Sequence, residues 1–256
     1  MAIDTDEGVF LADDAIFLTG SANQITEKEH PMFQSRSIDE ILYIASVIAQ
    51  HQLSVDVVNS ILEFAGVMLV FQAETSELRR GKSNMNEEYL KLQLPTAEQL
   101  RVPPEINVSK CLLLVADCVS KDQGWATDQR EHNGTYIATH SWCEIAVTSI
   151  SAEGESRETV RVPFCPNLRA GRNFRHHRRY FDSSTDLLQR INLGDCVSIV
   201  LRSAYPGWTN SAKNGRLAAC FTVELNDDFS FAGIPFPGLS NSMDASTSPS
   251  ALCFPL

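Results

Sequence analysis

No stretch of this chain comes near the ~18 consecutive apolar residues that a membrane-spanning helix needs, so no membrane is expected among its partners. Cysteine occurs without the pattern of a framework. Seven thiols, at positions 111, 118, 143, 165, 196, 220 and 253, form no C-x-x-C pair and lie mostly within apolar runs. That excludes the common zinc spacings and predicts reduced, buried side chains acting as small hydrophobes. H-E-x-x-H, G-x-S-x-G and G-x-G-x-x-G are missing as well. Their absence removes the commonest metalloprotease, hydrolase and dinucleotide readings, and no cofactor is implied. Asp4, Asp6 and Glu7 stand where a secretory leader carries bases, which with reduced thiols gives the expectation of a cytoplasmic or nuclear protein.

Bases are scarce, 21 against 32 acids, and unevenly placed. Residues 1–100 hold 6 Lys/Arg against 16 Asp/Glu, whereas residues 101–225 hold 15 against 13. Only the middle portion is equipped to attract an anion. The chain-wide acidity argues against nucleic acid, whose phosphates require a sizeable positive surface.

What is present divides the chain into five parts. Residues 1–36 mix acids with Ser, Thr and Asn and read as a disordered arm. Ser37-Ile-Asp-Glu40 has capping-box spacing and opens a helix with Ile41, Leu42, Ile44, Ala45, Val47 and Ile48 on a broad apolar face. A second helix starts near Ser54, where Val55, Val58, Ile61, Leu62, Ala65 and Leu69 recur at helical spacing. An αα-hairpin over 37–74 follows, its stripes too apolar to leave in water; Val58, Ile61 and Leu62 are candidate contacts to a protein partner. Residues 75–107, rich in charge, amides and proline, read as a linker. Strands are then expected at 110–118, 141–149, 158–164, 196–203 and 217–225, with another near 174–181. Val, Ile, Cys and Phe fill them between polar turns, as in an antiparallel sandwich. Residues 226–256 read as a disordered Ser/Pro-rich tail, and its last four residues, Cys253-Phe-Pro-Leu256, match a prenylation box only in outline.

Two features invite a ligand. Trp125 and Trp208 stand in polar, Gly-punctuated turns, and with Tyr136 and Asn210 they suit stacking on, and hydrogen bonding to, a glycan or peptide at neighbouring loop ends. Trp142 lies within a strand and reads as core. The second feature is 169–179, with five arginines, two histidines and no acid. Arg172 and Arg175, with Trp208, are candidates for an acidic ligand, because a guanidinium fork grips carboxylate or phosphate in two places. Use within the chain, or a solvated edge strand, are the simpler readings of the same stretch. His176 and His177, adjacent in a strand, point to opposite faces and do not share a metal without a bend. His140 near Cys143, and His132 near Asp128 and Glu131, assemble no catalytic constellation.

The ordered succession 122–125 (Asp-Gln-Gly-Trp), 134–136 (Gly-Thr-Tyr), Ser141-Trp142, the basic stretch, 191–195 and 205–210 (Tyr-Pro-Gly-Trp-Thr-Asn) resembles a fungal protein family with an F-box-like helical segment and a C-terminal β-sandwich. The resemblance covers roughly residues 108–225. It implies that 53–65 begins an F-box-like helix, with Ser54 where the family has proline, and that 108–225 resembles galactose-binding-like jelly rolls. The fold class expected is therefore α+β, an N-terminal αα-hairpin followed by an antiparallel β-sandwich. The function expected is a non-enzymatic interaction protein, an F-box-like substrate adaptor recognising a protein or glycan; a small-ligand or anion-binding module without that role is the alternative, and a hydrolase or metal enzyme the third reading.

Overall fold

The computed structural model describes residues 36–108, 110–150, 154–227 and 229. The arm read over 1–36 lies outside these residues except for Arg36, and so does the tail read over 226–256, Cys253 included, except for 226, 227 and 229.

Among the described residues two helices come first. Helix α1 (Ile38–Ala49) is capped as its sequence dictates: Glu40 N donates to Ser37 Oγ at 3.2 Å and Ser37 N donates back to Glu40 Oε2 at 2.8 Å. Helix α2 (Val55–Phe64) ends where Gly66 takes φ 68°, a left-handed conformation that glycine adopts without steric cost. The helices pack on each other and, through Ile41, Ala45, Val58 and Leu62, on the core of the strands that follow. Asn59 fixes α2 by a two-way clamp, its Nδ2 donating to Leu225 O at 2.9 Å and its Oδ1 accepting from Leu225 N at 2.8 Å.

The helical pair ends earlier than the expected 37–74, and 75–107 is not a linker. Strand β1 (Leu69–Thr75) begins three residues after Gly66, and β2 (Asn86–Gln93) lies within the charged segment, followed by the short helix α3 (Ala97–Leu100). The β2 alternation is real, with Leu90, Leu92 and Leu94 buried around exposed Lys91 and Gln93. A bulge between Glu88 and Leu90 buries Tyr89 and Leu90 together and breaks the period ahead of it.

The remaining strands are β3 (Ile106–Asn107), β4 (Cys111–Lys121), β5 (Ser141–Ile150), β6 (Ser156–Pro166), β7 (Arg175–Phe181), β8 (Cys196–Ser203), β9 (Ser211–Phe221) and β10 (Glu224–Leu225). They form two four-stranded antiparallel sheets, ordered β1-β9-β4-β7 and β2-β8-β5-β6, and the two-residue strands β3 and β10 pair beside α2. The sheets face each other. Leu114, Ala116 and Cys118 of β4 and Leu217, Ala219 and Phe221 of β9 meet Ile145 and Val147 of β5 and Val197, Ile199 and Leu201 of β8. The chain is thus α+β, a helical pair followed by a sheet-rich, sandwich-like unit. Of the six described cysteines five are buried, and all six are free thiols.

Candidate functional site

Four connections meet at one end of the sandwich: 76–85, 122–140, 167–174 and 204–210. Among the described residues, five of the seven non-glycine residues with left-handed φ lie in them, Asn84, Gln129, Ala138, Ala170 and Tyr205. Such conformations persist only where surrounding contacts hold them. Here a buried polar network does so. Asp122 accepts from Ser141 Oγ and from Ala170 N, both at 2.8 Å. Burial pushes the Asp122 pKa up in spite of these bonds. Asn167 donates to Ser141 Oγ at 3.1 Å and to Asn210 Oδ1 at 2.9 Å, and accepts from Ser120 Oγ at 2.7 Å.

The sequence candidates divide within this end. Asn210 is fully buried; its Nδ2 donates to Trp142 O at 2.7 Å and to Arg202 O at 3.3 Å, so it clamps β5 to β8 and offers nothing to a ligand. Trp208 is half-buried, with the Arg169 guanidinium 4.9 Å from its ring centre and the His140 ring edge-on at 4.8 Å. Tyr136 is half-buried against His177. Arg172 donates to Gly124 O at 3.3 Å. Arg175 and Trp125 are exposed, Trp125 by 59%. The two indoles therefore have opposite environments, one packed and one open. Trp142 is not core: the period of β5 turns Cys143, Ile145 and Val147 inward and Trp142 outward, where Arg202 lies over its ring.

Arg169, Arg178 and Arg179 of the basic stretch are spent within the molecule. Arg169, fully buried, donates to the carbonyls of Ala138 and Asp128 and pairs with the Asp128 carboxylate at 3.0 Å, stapling the 122–140 connection. Arg179 reaches from the edge of one sheet to Pro163 O on the other at 3.0 Å. His177 points into the core, and His176 and Arg178 point to the outer face of β7.

On that outer face lies a cleft of about 400 Å³, which the sequence did not reveal. It crosses the β1-β9-β4-β7 sheet and is lined by Glu74 and Ser76, Asp117 and Val119, His176 and Arg178, and Asn214 and Arg216, among others. Antiparallel register sets Asp117 opposite Arg178 on one side and Arg216 on the other. Asp117 is buried at the floor. Arg178 grips it with a two-point fork, Nε at 2.5 Å from Oδ1 and Nη2 at 3.1 Å from Oδ2, and His176 Nε2 lies 2.8 Å from Oδ1. Burial alone raises the Asp117 pKa, but the bonds from His176 and Arg178 outweigh it and hold the carboxylate below its ordinary value. Arg216 pairs with Glu74 at 3.2 Å and donates to Gln72 at 3.1 Å.

Two aromatics flank this row, one on β7 and one just before it. Tyr180 is exposed two residues beyond Arg178. Phe174 precedes His176 by two residues and carries the ammonium groups of Lys121 and Lys213 at 4.9 and 5.1 Å from its ring centre. His176, Arg178 and Tyr180 thus recur at the two-residue spacing that keeps side chains on one face of a strand, and Phe174 stands at the same spacing just before β7 begins. That signal was legible once β7 was known to expose this face. None of Trp125, Tyr136, Arg172, Arg175, Trp208 and Asn210 lines the cleft. Among the described residues, no group of three or more His, Cys, Asp or Glu is arranged to hold a metal ion, and no helix is long and apolar enough to cross a membrane.

The chain matches no protein-family model and no curated protein.

Proposed function

We propose that this chain is a non-catalytic interaction protein whose sheet-rich part binds a neutral, hydroxyl-rich ligand, a glycan, in the cleft over Asp117. The observation that carries the reading is the pairing of charge in that cleft. Two carboxylates, Glu74 and Asp117, are matched by two guanidinium groups, Arg216 and Arg178. An anion site leaves its arginines uncommitted to carboxylates, whereas matched pairs present donors and acceptors side by side, as hydroxyl groups require. The volume suits a small ligand. Tyr180, exposed on β7 two residues beyond Arg178, supplies flat apolar surface beside the cleft for the carbon-bound hydrogens of a sugar ring.

The strand order supports the accompanying fold proposal, a jelly roll of the galactose-binding-like kind. Counting the eight long strands alone in chain order, the sheets run 1-8-3-6 and 2-7-4-5, the arrangement of two nested Greek keys. In the same proposal the helical pair ties this unit to a protein partner, as in an F-box-like adaptor.

A glycan array probed with the full chain tests the reading, with Asn214→Ala and Arg216→Ala as variants. A neutral glycan retained by the wild type and lost by both variants, with affinity unchanged by added salt, is expected. Screening weakens attraction between exposed charges and leaves neutral recognition untouched. Binding restricted to sulfated or phosphorylated probes, and abolished by salt, replaces this reading with the anion-binding module.

A further inference from the structure

The helical pair carries an apolar stripe that the described fold leaves open. On α2, Val58 and Leu62 turn into the core and are unavailable to a partner, whereas Val57, Ile61 and Phe64 turn outward at i, i+4 and i+7 spacing, with Phe64 98% exposed. On α1, Tyr43 and Val47 are exposed one turn apart. Of the three partner contacts expected from sequence, only Ile61 lies on this open stripe.

Charge runs beside it. Asp56, Ser60 and Glu63 occupy the adjoining strip of α2, and with Asn59, Thr222, Val223 and Glu224 they line a depression of about 270 Å³; of its three carboxylates Glu224 is paired with Lys110 at 3.4 Å, and Asp56 and Glu63 lie on α2. On α1, Asp39 and Glu40 stand one turn before Tyr43. Across residues 36–66 the only Lys or Arg is Arg36, against the acids Asp39, Glu40, Asp56 and Glu63. An apolar stripe at i, i+4, i+7 flanked by like charges is one half of a helix-to-helix contact, and its complement is an amphipathic helix with an apolar face bordered by bases.

We infer that the helical pair docks a basic amphipathic helix of a partner protein. The apolar face of that helix covers Val57, Ile61 and Phe64, and its Lys/Arg border lies against Asp56 and Glu63. Other occupants meet the wrong charge. The chain's own apolar residues 9–11 and 16–18 enclose Asp13 and Asp14. A second copy of the helical pair sets the same acids against one another, and an anionic membrane surface repels them. The inference rests on the proposed docking role and specifies the partner's chemistry.

Fluorescence anisotropy with two labelled synthetic helices tests it. Both carry the same leucine stripe, one bordered by Lys and the other by Glu, and each is titrated with the full chain. Saturable binding of the Lys-bordered helix is expected, with the Glu-bordered helix weaker by about tenfold or more. Phe64→Asp and Glu63→Lys, both at exposed positions, weaken the Lys-bordered helix by a similar factor, and Glu63→Lys strengthens the other. Equal binding of the two helices, or preference for the Glu-bordered one, overturns the basic partner and leaves the docking role standing. Failure of both helices to bind at millimolar concentration overturns the docking role and the inference with it.

Discussion

Acidification separates one buried group from the rest of the molecule. His177 points inward from β7 with its ring against Tyr136, and burial lowers its pKa from the ordinary 6.5 to about 4. Nearby His176 and Arg175 act in the same direction, and Cys143 opposes them. The unfolded chain takes up a proton on this ring near pH 6.5, the folded chain only near pH 4. Between those values the unfolded state binds more protons, so stability rises with pH. The contribution is fully present above about pH 6.5 and is lost as pH falls towards 4. At about 1.36 kcal/mol per pH unit it amounts to about 3 kcal/mol, of which roughly 2 to 3 kcal/mol is gone by pH 4.5. That is a large share of the ~5–15 kcal/mol typical of a folded domain. Urea unfolding followed by circular dichroism near pH 7, 5.5 and 4.5 measures it, with His177→Phe as the comparison. Carboxylates titrate in both proteins, so the difference between the two pH profiles isolates the ring. Equal loss of stability in wild type and variant, or a His177 imidazole that titrates above pH 6 by NMR in the native protein, refutes the reasoning.

Other outcomes follow from the same geometry. Asn210→Ala removes bonds to Trp142 O, Arg202 O and Asn167 in a fully buried setting, and is expected to cost about 2–4 kcal/mol in denaturant unfolding while leaving glycan affinity at saturating stability unchanged. Gly81→Ala places a Cβ 1.9 Å from Asn210 O, so the backbone must move; a loss of about 2 kcal/mol or more, or insoluble protein, is expected. Trp125→Ala, at an exposed site outside the cleft, is expected to change stability by less than about 0.5 kcal/mol and glycan binding not at all.

The parts of the fold legible in the sequence were those with local rules. The capping box at Ser37 and Glu40 formed as written, and β4, β5, β6 and β8 were announced by Val, Ile and Cys between polar turns, whereas β9 begins six residues before the expected 217, in the polar run 211–216, and ends at Phe221 instead of 225. Strand β1 was hidden because Leu69 falls at helical spacing after Leu62, and only Gly66 marks the change of period. Strand β2 was hidden by its charged outer face and by the bulge that buries Tyr89 beside Leu90. The candidate site was less legible still. Asn210 looks like a ligand-binding residue in sequence, and tertiary structure spends it on clamping β5 to β8. Asp117, a single acid inside an apolar strand, becomes informative only when register sets Arg178 and Arg216 on either side of it.

Amide chemical-shift mapping of the isotope-labelled full chain, titrated with a panel of neutral oligosaccharides, tests the central claim most directly. The account predicts saturable shifts centred on 74–76, 117–119, 176–178 and 214–216, the segments that line the cleft, and unchanged by about 0.5 M salt. Shifts centred instead on Trp125 and Tyr205, or no saturable shift with any member of the panel, contradict it.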